Sequence, residues 1–167
     1  MVELVMTLTL VLVGLSGFLH ALVGSMKLGR SNRTSAVATE ALQAALEELA
    51  SVPFNEVVRR YNADPADDPG GAGSAPGDAF SVNGLPPQPD DVDGMVGEIV
   101  FPFTAAGELT EAPAAGFPGM PRDLNLDGDT TDTGVVDYKI LPVLVRLRWR
   151  DAAGDREAFA KTILIER

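Results

Sequence analysis

The chain has 167 residues, a formal net charge of −11, no cysteine and one histidine. The acidity argues against a nucleic-acid reader, because no basic patch is available to neutralise a run of phosphates. The absence of cysteine excludes disulfides, thiolate metal sites and a cysteine nucleophile, and the length allows one globular unit beside an apolar segment.

Residues 1–26, MVELVMTLTLVLVGLSGFLHALVGSM, carry only two ionisable side chains, Glu3 and His20. As a helix rising about 1.5 Å per residue, this stretch covers the roughly 30 Å of a bilayer core. Lys27, Arg30 and Arg33 follow at once and mark a polar boundary. A cleaved signal peptide is a poor fit, since it has a basic start and a shorter apolar core. Gly14, Ser16 and Gly17 weaken the helix in its middle or let another helix approach closely. His20 reads as an interfacial or packed residue. Glu3 is the odd feature, because a carboxylate at full membrane depth costs about 2.5–3.5 kcal/mol, less near the interface. A plain anchor has no need of it, whereas a helix that pairs its acid with a cation on a neighbouring subunit does.

Residues 27–61 continue the helix in amphipathic form. Ala38, Leu42, Ala45, Leu46 and Leu49 share one face, with Glu40, Gln43, Glu47 and Glu48 on the other. Pro53 breaks or kinks it, and 54–61 form a short further turn. Residues 62–95 are rich in Pro, Gly and Asp and without period, so they read as loop with single turns only. Within 96–167, the stretch 96–103 is β-rich, with Pro102 making it an edge or interrupted strand. Residues 136–150 form the clearest strand, alternating Val143, Val145, Leu147 and Trp149 against Leu144, Arg146, Arg148 and Arg150. A turn at 151–155 leads into a return strand at 157–166. The expected class is therefore α+β: a long N-terminal helix, membrane-spanning in its first half, packed on a small antiparallel β-sheet of three or four strands.

One constellation has metal-ligand character, the Asp-rich loop 123–132, DLNLDGDTTD. Hard cations such as Ca²⁺ take six to eight oxygens. Asp123, Asn125, Asp127, Asp129 and Asp132 supply them at alternating positions, and Gly128 allows the sharp turn. The opening fits the D-x-[DN]-x-[DN]-G of an EF-hand-like loop, but the twelfth position is Gly134 rather than Glu. Asp132, or less favourably Asp137, would have to substitute. Two readings stand: a structural Ca²⁺ site, or a solvated Asx/Gly turn between strands. No phosphate loop, nucleophile elbow or acid–base set is visible, so an enzyme is not expected.

Val2-Glu3-Leu4-Val5-Met6-Thr7-Leu8 and the apolar helix that follows resemble the start of type IV pilin-like proteins, a superfamily of pilins, minor pilins and type II secretion pseudopilins. The resemblance is specific over 1–26 and looser to Tyr61. Trp149, Asp151, Gly154 and Arg156 also resemble the C-terminal hairpin of minor pilins and pseudopilins. The resemblance implies a leader ending in Gly, and about two further residues, upstream of Met1. Such a basic leader would offset the cations after the span, which by themselves favour a cytoplasmic C-terminal domain. It further implies cleavage and methylation by a prepilin peptidase, residence in the inner membrane as a single-pass protein with a periplasmic domain, and assembly with other pilin-like subunits into a filament. Glu3 would then pair with the N-terminal amine of a neighbour. Some pseudopilins are stabilised by calcium, which gives the Asp loop a structural role by the same resemblance. The alternative is a single-pass, calcium-stabilised extracytoplasmic domain that never polymerises.

Overall fold

The computed structural model describes residues 2–113, 117 and 119–166. Helix α1, Val2–Ser51, is one continuous 50-residue rod, about 75 Å long at 1.5 Å per residue. It runs unbroken through Gly14 and Gly17. Pro53 ends it, and the chain folds back through a 3₁₀ turn at Phe54–Glu56 into α2, Val57–Tyr61. The return is fastened by the Tyr61 hydroxyl, which donates to Glu48 Oε1 at 2.9 Å. Burial, and then the carboxylate that accepts this bond, push the Tyr61 phenol up to about 12.

Four strands, β1 (Ala79–Phe80), β2 (Gly97–Val100), β3 (Ile140–Asp151) and β4 (Gly154–Ile165), form one antiparallel sheet in the order β1-β2-β3-β4. The protein is thus α+β, a long apolar helix over a small antiparallel sheet. Val143, Val145, Leu147 and Trp149 turn inward from β3 and meet Ala38, Leu42, Ala45 and Leu49 of α1 in a single core. The spacing of four, three and four keeps these helix positions on one stripe, and the two alanines let the helix lie close to the sheet. Leu46 is only half-buried at the stripe's edge. On the outer face Arg148 and Arg150 are exposed, while Arg146 pairs with its cross-strand neighbour Glu98 at 2.7 Å.

Three details depart from the pattern read in the sequence. The 62–95 stretch contains β1, a strand too short to announce itself. Phe80 pairs with Gly97, and a Cβ on Gly97 would fall inside the Phe80 ring, so the missing side chain makes the seat for the aromatic. The strand expected over 96–103 stops at Val100, ahead of Pro102, and lies inside the sheet because β1 covers its outer edge. The long strand begins at Ile140 rather than Val136, which is 88% exposed, because Lys139 and Ile140 both send their N–H groups to the Leu124 carbonyl. Pro142 is accommodated in β3 because β2 pairs only with Leu144–Leu147, leaving Pro142 without a strand on that side.

The β3–β4 hairpin turns through Ala152 and Ala153, with Asp151 paired to Gly154. Its tip is fastened to α1 where the apolar half ends. Asp151 Oδ2 accepts from the Ser31 hydroxyl at 2.9 Å and lies 3.4 Å from Arg156 Nε. The Ala153 N–H, the Ser31 hydroxyl and the Arg156 guanidinium hold the Asp151 carboxyl below its usual value. A lowered folded value means that the carboxylate stabilises the fold above about the ordinary 3.8 and that this contribution is lost as pH falls below it. Asp151→Asn is therefore expected to be less stable than the native chain at neutral pH, with the gap closing in acid. Acid and urea titrations followed by the emission of Trp149, the only tryptophan, check this. A constant gap at all pH values would show that the charge is not the cause.

Candidate functional site

Two features stand apart from the packed domain. The first is the apolar half of α1. Every residue from Val2 to Arg30 is exposed, among them Leu4, Met6, Leu8, Leu10, Leu15 and Phe18. The helix is long and apolar enough to cross a membrane, and none of its most apolar window is buried inside the protein. Three of its polar side chains, Thr7, Thr9 and His20, are turned to its own backbone. The Thr7 and Thr9 hydroxyls donate to the carbonyls of Glu3 and Val5 at 2.8 and 2.6 Å. His20 Nδ1 donates to the Ser16 carbonyl at 2.8 Å. These bonds quench groups that would otherwise be costly in an apolar surround. Glu3 is different: it sits in the first turn, exposed, and its carboxylate makes no ion pair among the described residues. A helix N-terminus favours an acid there, but an apolar environment does not.

The second feature is the Asp-rich loop. Its shape comes from carboxyl and amide side chains bonding to the loop backbone. Asp123 accepts from Leu126 N at 2.6 Å with one oxygen and from Gly128 N at 2.9 Å with the other. Asn125, Asp127 and Asp129 accept in turn from Asp127 N, Asp129 N and Thr131 N. Leu126 at φ 67° and Gly128 at φ 101° take the left-handed backbone that this tight path needs, a strained choice for leucine and a free one for glycine.

The loop is flanked by a segment that the sequence pattern did not single out. Leu109–Glu111 runs antiparallel to Asp132–Val135: Thr110 bridges Thr133, Glu111 N donates to the Asp132 carbonyl at 2.9 Å, and Gly134 N donates to the Leu109 carbonyl at 2.8 Å. This pairing places Glu111 underneath the loop. Glu111 is fully buried, and its Oε1 accepts from Leu124 N at 2.6 Å and Asn125 N at 3.2 Å. Carboxylate oxygens of Glu111, Asp127, Asp129 and Asp132 all lie within 4.8 Å of one another. Asp129, then burial, then Asp127 raise the Asp132 carboxyl above its usual value. Of the five residues expected as ligands, the structure gathers Asp127, Asp129 and Asp132, while both oxygens of Asp123 serve the loop backbone and Asn125 accepts from Asp127 N with its oxygen and donates its amide to Asp127 Oδ2 at 3.3 Å. Glu111 had no motif to betray it, since it lies upstream of the loop and reaches it only through tertiary pairing.

In comparisons with protein-family models, curated proteins and solved structures, nothing matches this chain. The architecture itself, an apolar N-terminal helix projecting from a small antiparallel sheet that packs on its second half, is compatible with a pilin-like fold.

Proposed function

We propose that the protein is a structural subunit of a type IV pilus or type II secretion-like filament, a minor pilin or pseudopilin, that assembles through the apolar half of α1. The observation that carries this reading is the exposure of that entire half, with Glu3 in its first turn. Burying such a surface is worth about 25 cal/mol per Å², so it must be covered by lipid or by other helices. Glu3 separates the two covers. Lipid offers a carboxylate no partner, whereas a bundle of like helices offers the amine at a neighbour's start.

On this reading the subunit waits in the inner membrane with its domain in the periplasm. A prepilin peptidase prepares its N-terminus. Assembly then moves the helix from lipid into a core of helices without exposing it to water. The small residues Gly14 and Gly17, which have nothing within 4 Å of a built Cβ, give notches for close helix approach. The domain is the rigid carrier that the helix displays, and its role is structural rather than catalytic.

The absence of native cysteine makes crosslinking a clean test. A single Leu12→Cys substitution in the apolar half, in cells expressing the assembly machinery, should give oxidative crosslinks to other pilin-like subunits carrying a matching cysteine. Those crosslinks should vanish when the assembly motor is disabled. A chain that stays uncrosslinked in the presence of an active motor would favour a membrane-anchored domain that does not polymerise.

A further inference from the structure

Glu111 poses a problem that the assembly reading does not touch. Its carboxylate is fully buried. Two backbone N–H groups satisfy Oε1, but Oε2 has no hydrogen-bond partner among the described residues. Among the described residues none of the four clustered acids makes an ion pair either. A buried carboxylate oxygen left without a donor is costly, and three further carboxylates aimed at the same point add repulsion. A glutamine would accept the same two backbone bonds without the charge. The choice of glutamate is explained if a cation supplies what the protein does not.

We propose that Glu111, Asp127, Asp129 and Asp132 hold a Ca²⁺ ion, with Glu111 closing the loop from upstream in place of the glutamate that its twelfth position lacks. The spacing suits the ion. Ca²⁺ binds oxygen at about 2.4 Å, so ligands on opposite sides stand about 4.8 Å apart. The four carboxylates fall within that limit. Mg²⁺, at about 2.0–2.1 Å, needs a tighter and strictly octahedral set, which a loop already fixed by its own backbone bonds supplies poorly. Asp123 and Asn125 keep the loop in shape, and solvent completes the coordination on the exposed side of Asp127 and Asp129.

The ion adds a charged tie between parts of the chain that otherwise meet through backbone hydrogen bonds. Glu111 belongs to the 109–111 segment, the three aspartates to the loop, and Leu124 within the loop receives the N–H groups of Lys139 and Ile140 at the start of β3. In a chain without disulfides, such a bridge fastens the long excursion between β2 and β3 to the sheet.

The test uses the full chain in detergent, titrated with CaCl₂ by calorimetry and melted in Ca²⁺, Mg²⁺ or EGTA. The expected result is saturable Ca²⁺ binding, a melting temperature that rises with Ca²⁺ and falls back with EGTA, and a smaller response to Mg²⁺. Glu111→Gln keeps the two backbone bonds and should weaken binding by about tenfold or more, since affinity in such sites follows the count of charged ligands. Absence of binding up to about 1 mM, the weak end for extracellular sites, would overturn the proposal, and so would native affinity in Glu111→Gln. Should that variant fail to fold, Asp127→Asn decides, because its side chain is exposed: weakened binding supports the site and unchanged binding overturns it. None of these outcomes depends on whether the protein polymerises.

Discussion

Leu49→Ala is expected to destabilise the domain by about 2–5 kcal/mol, the range for truncating a fully buried leucine whose surroundings collapse only partly. Leu49 is 1% exposed and closes the core stripe of α1 just before Pro53. Around it lie Val52, Phe54 and Val57 from the helical return and Leu164 from β4. A cavity there loosens two junctions at once: helix against sheet, and helix against its own continuation. The apolar half of α1 gives no compensation, because it makes no core contacts. Urea unfolding of the full chain in detergent, followed by Trp149, which is 3% exposed and part of the same core, measures the effect. Phe159→Ala is the control. Phe159 is 58% exposed on β4, and its loss should change stability by no more than about 0.5 kcal/mol. Equal effects for the two variants would mean that the helix does not pack on the sheet as described.

The second large effect is expected at Glu3. Glu3→Gln should leave the domain's stability unchanged, since that end of the helix is exposed from Val2 to Arg30 and packs on nothing among the described residues. In the filament reading it should nevertheless abolish or severely reduce incorporation. Removing one member of a buried ion pair leaves the other charge without compensation, at a cost of about 3–5 kcal/mol, and 1.4 kcal/mol is already a tenfold change in an equilibrium. Quantifying the subunit in sheared filaments against the membrane fraction checks this. Native incorporation of Glu3→Gln, with native expression, would remove the assembly role from the acid and leave the helix as an anchor.

Much of this architecture was legible because it rests on local pattern. The stripe of Ala38, Leu42, Ala45 and Leu49 repeats with the helix period. The alternation from Val143 to Trp149 repeats with the strand period, and each pattern alone decides which face is buried. The stop at Pro53 and the hairpin that follows Arg150 are likewise written in single residues. What escaped was non-local. The two residues of β1 are a strand only because Gly97 leaves room for the Phe80 ring. Val136–Lys139 has strand-like composition but lies outside the ladder because the Leu124 carbonyl captures the chain at Lys139 and Ile140. The acidic loop was half visible: alternating Asp and Asn with a glycine announce a turn that gathers oxygens. The acid placed beneath it, Glu111, arrives through a pairing between distant segments, and no spacing rule connects it to Asp123. The loop's sequence pattern and its acidic cluster also do not coincide. Asp123 opens the pattern, yet both its oxygens serve the backbone, while a residue outside the pattern is buried against the cluster.

The filament reading is tested most directly by the intact mass of the chain. The gene, with the codons upstream of Met1, would be expressed in a host carrying a prepilin peptidase, beside a control in which the glycine before the expected cleavage point is replaced. A mass that fits removal of a short leader plus one methyl group, lost in the control, is the predicted result. An unprocessed chain, or one cut after the apolar segment near Met26, would contradict the assignment.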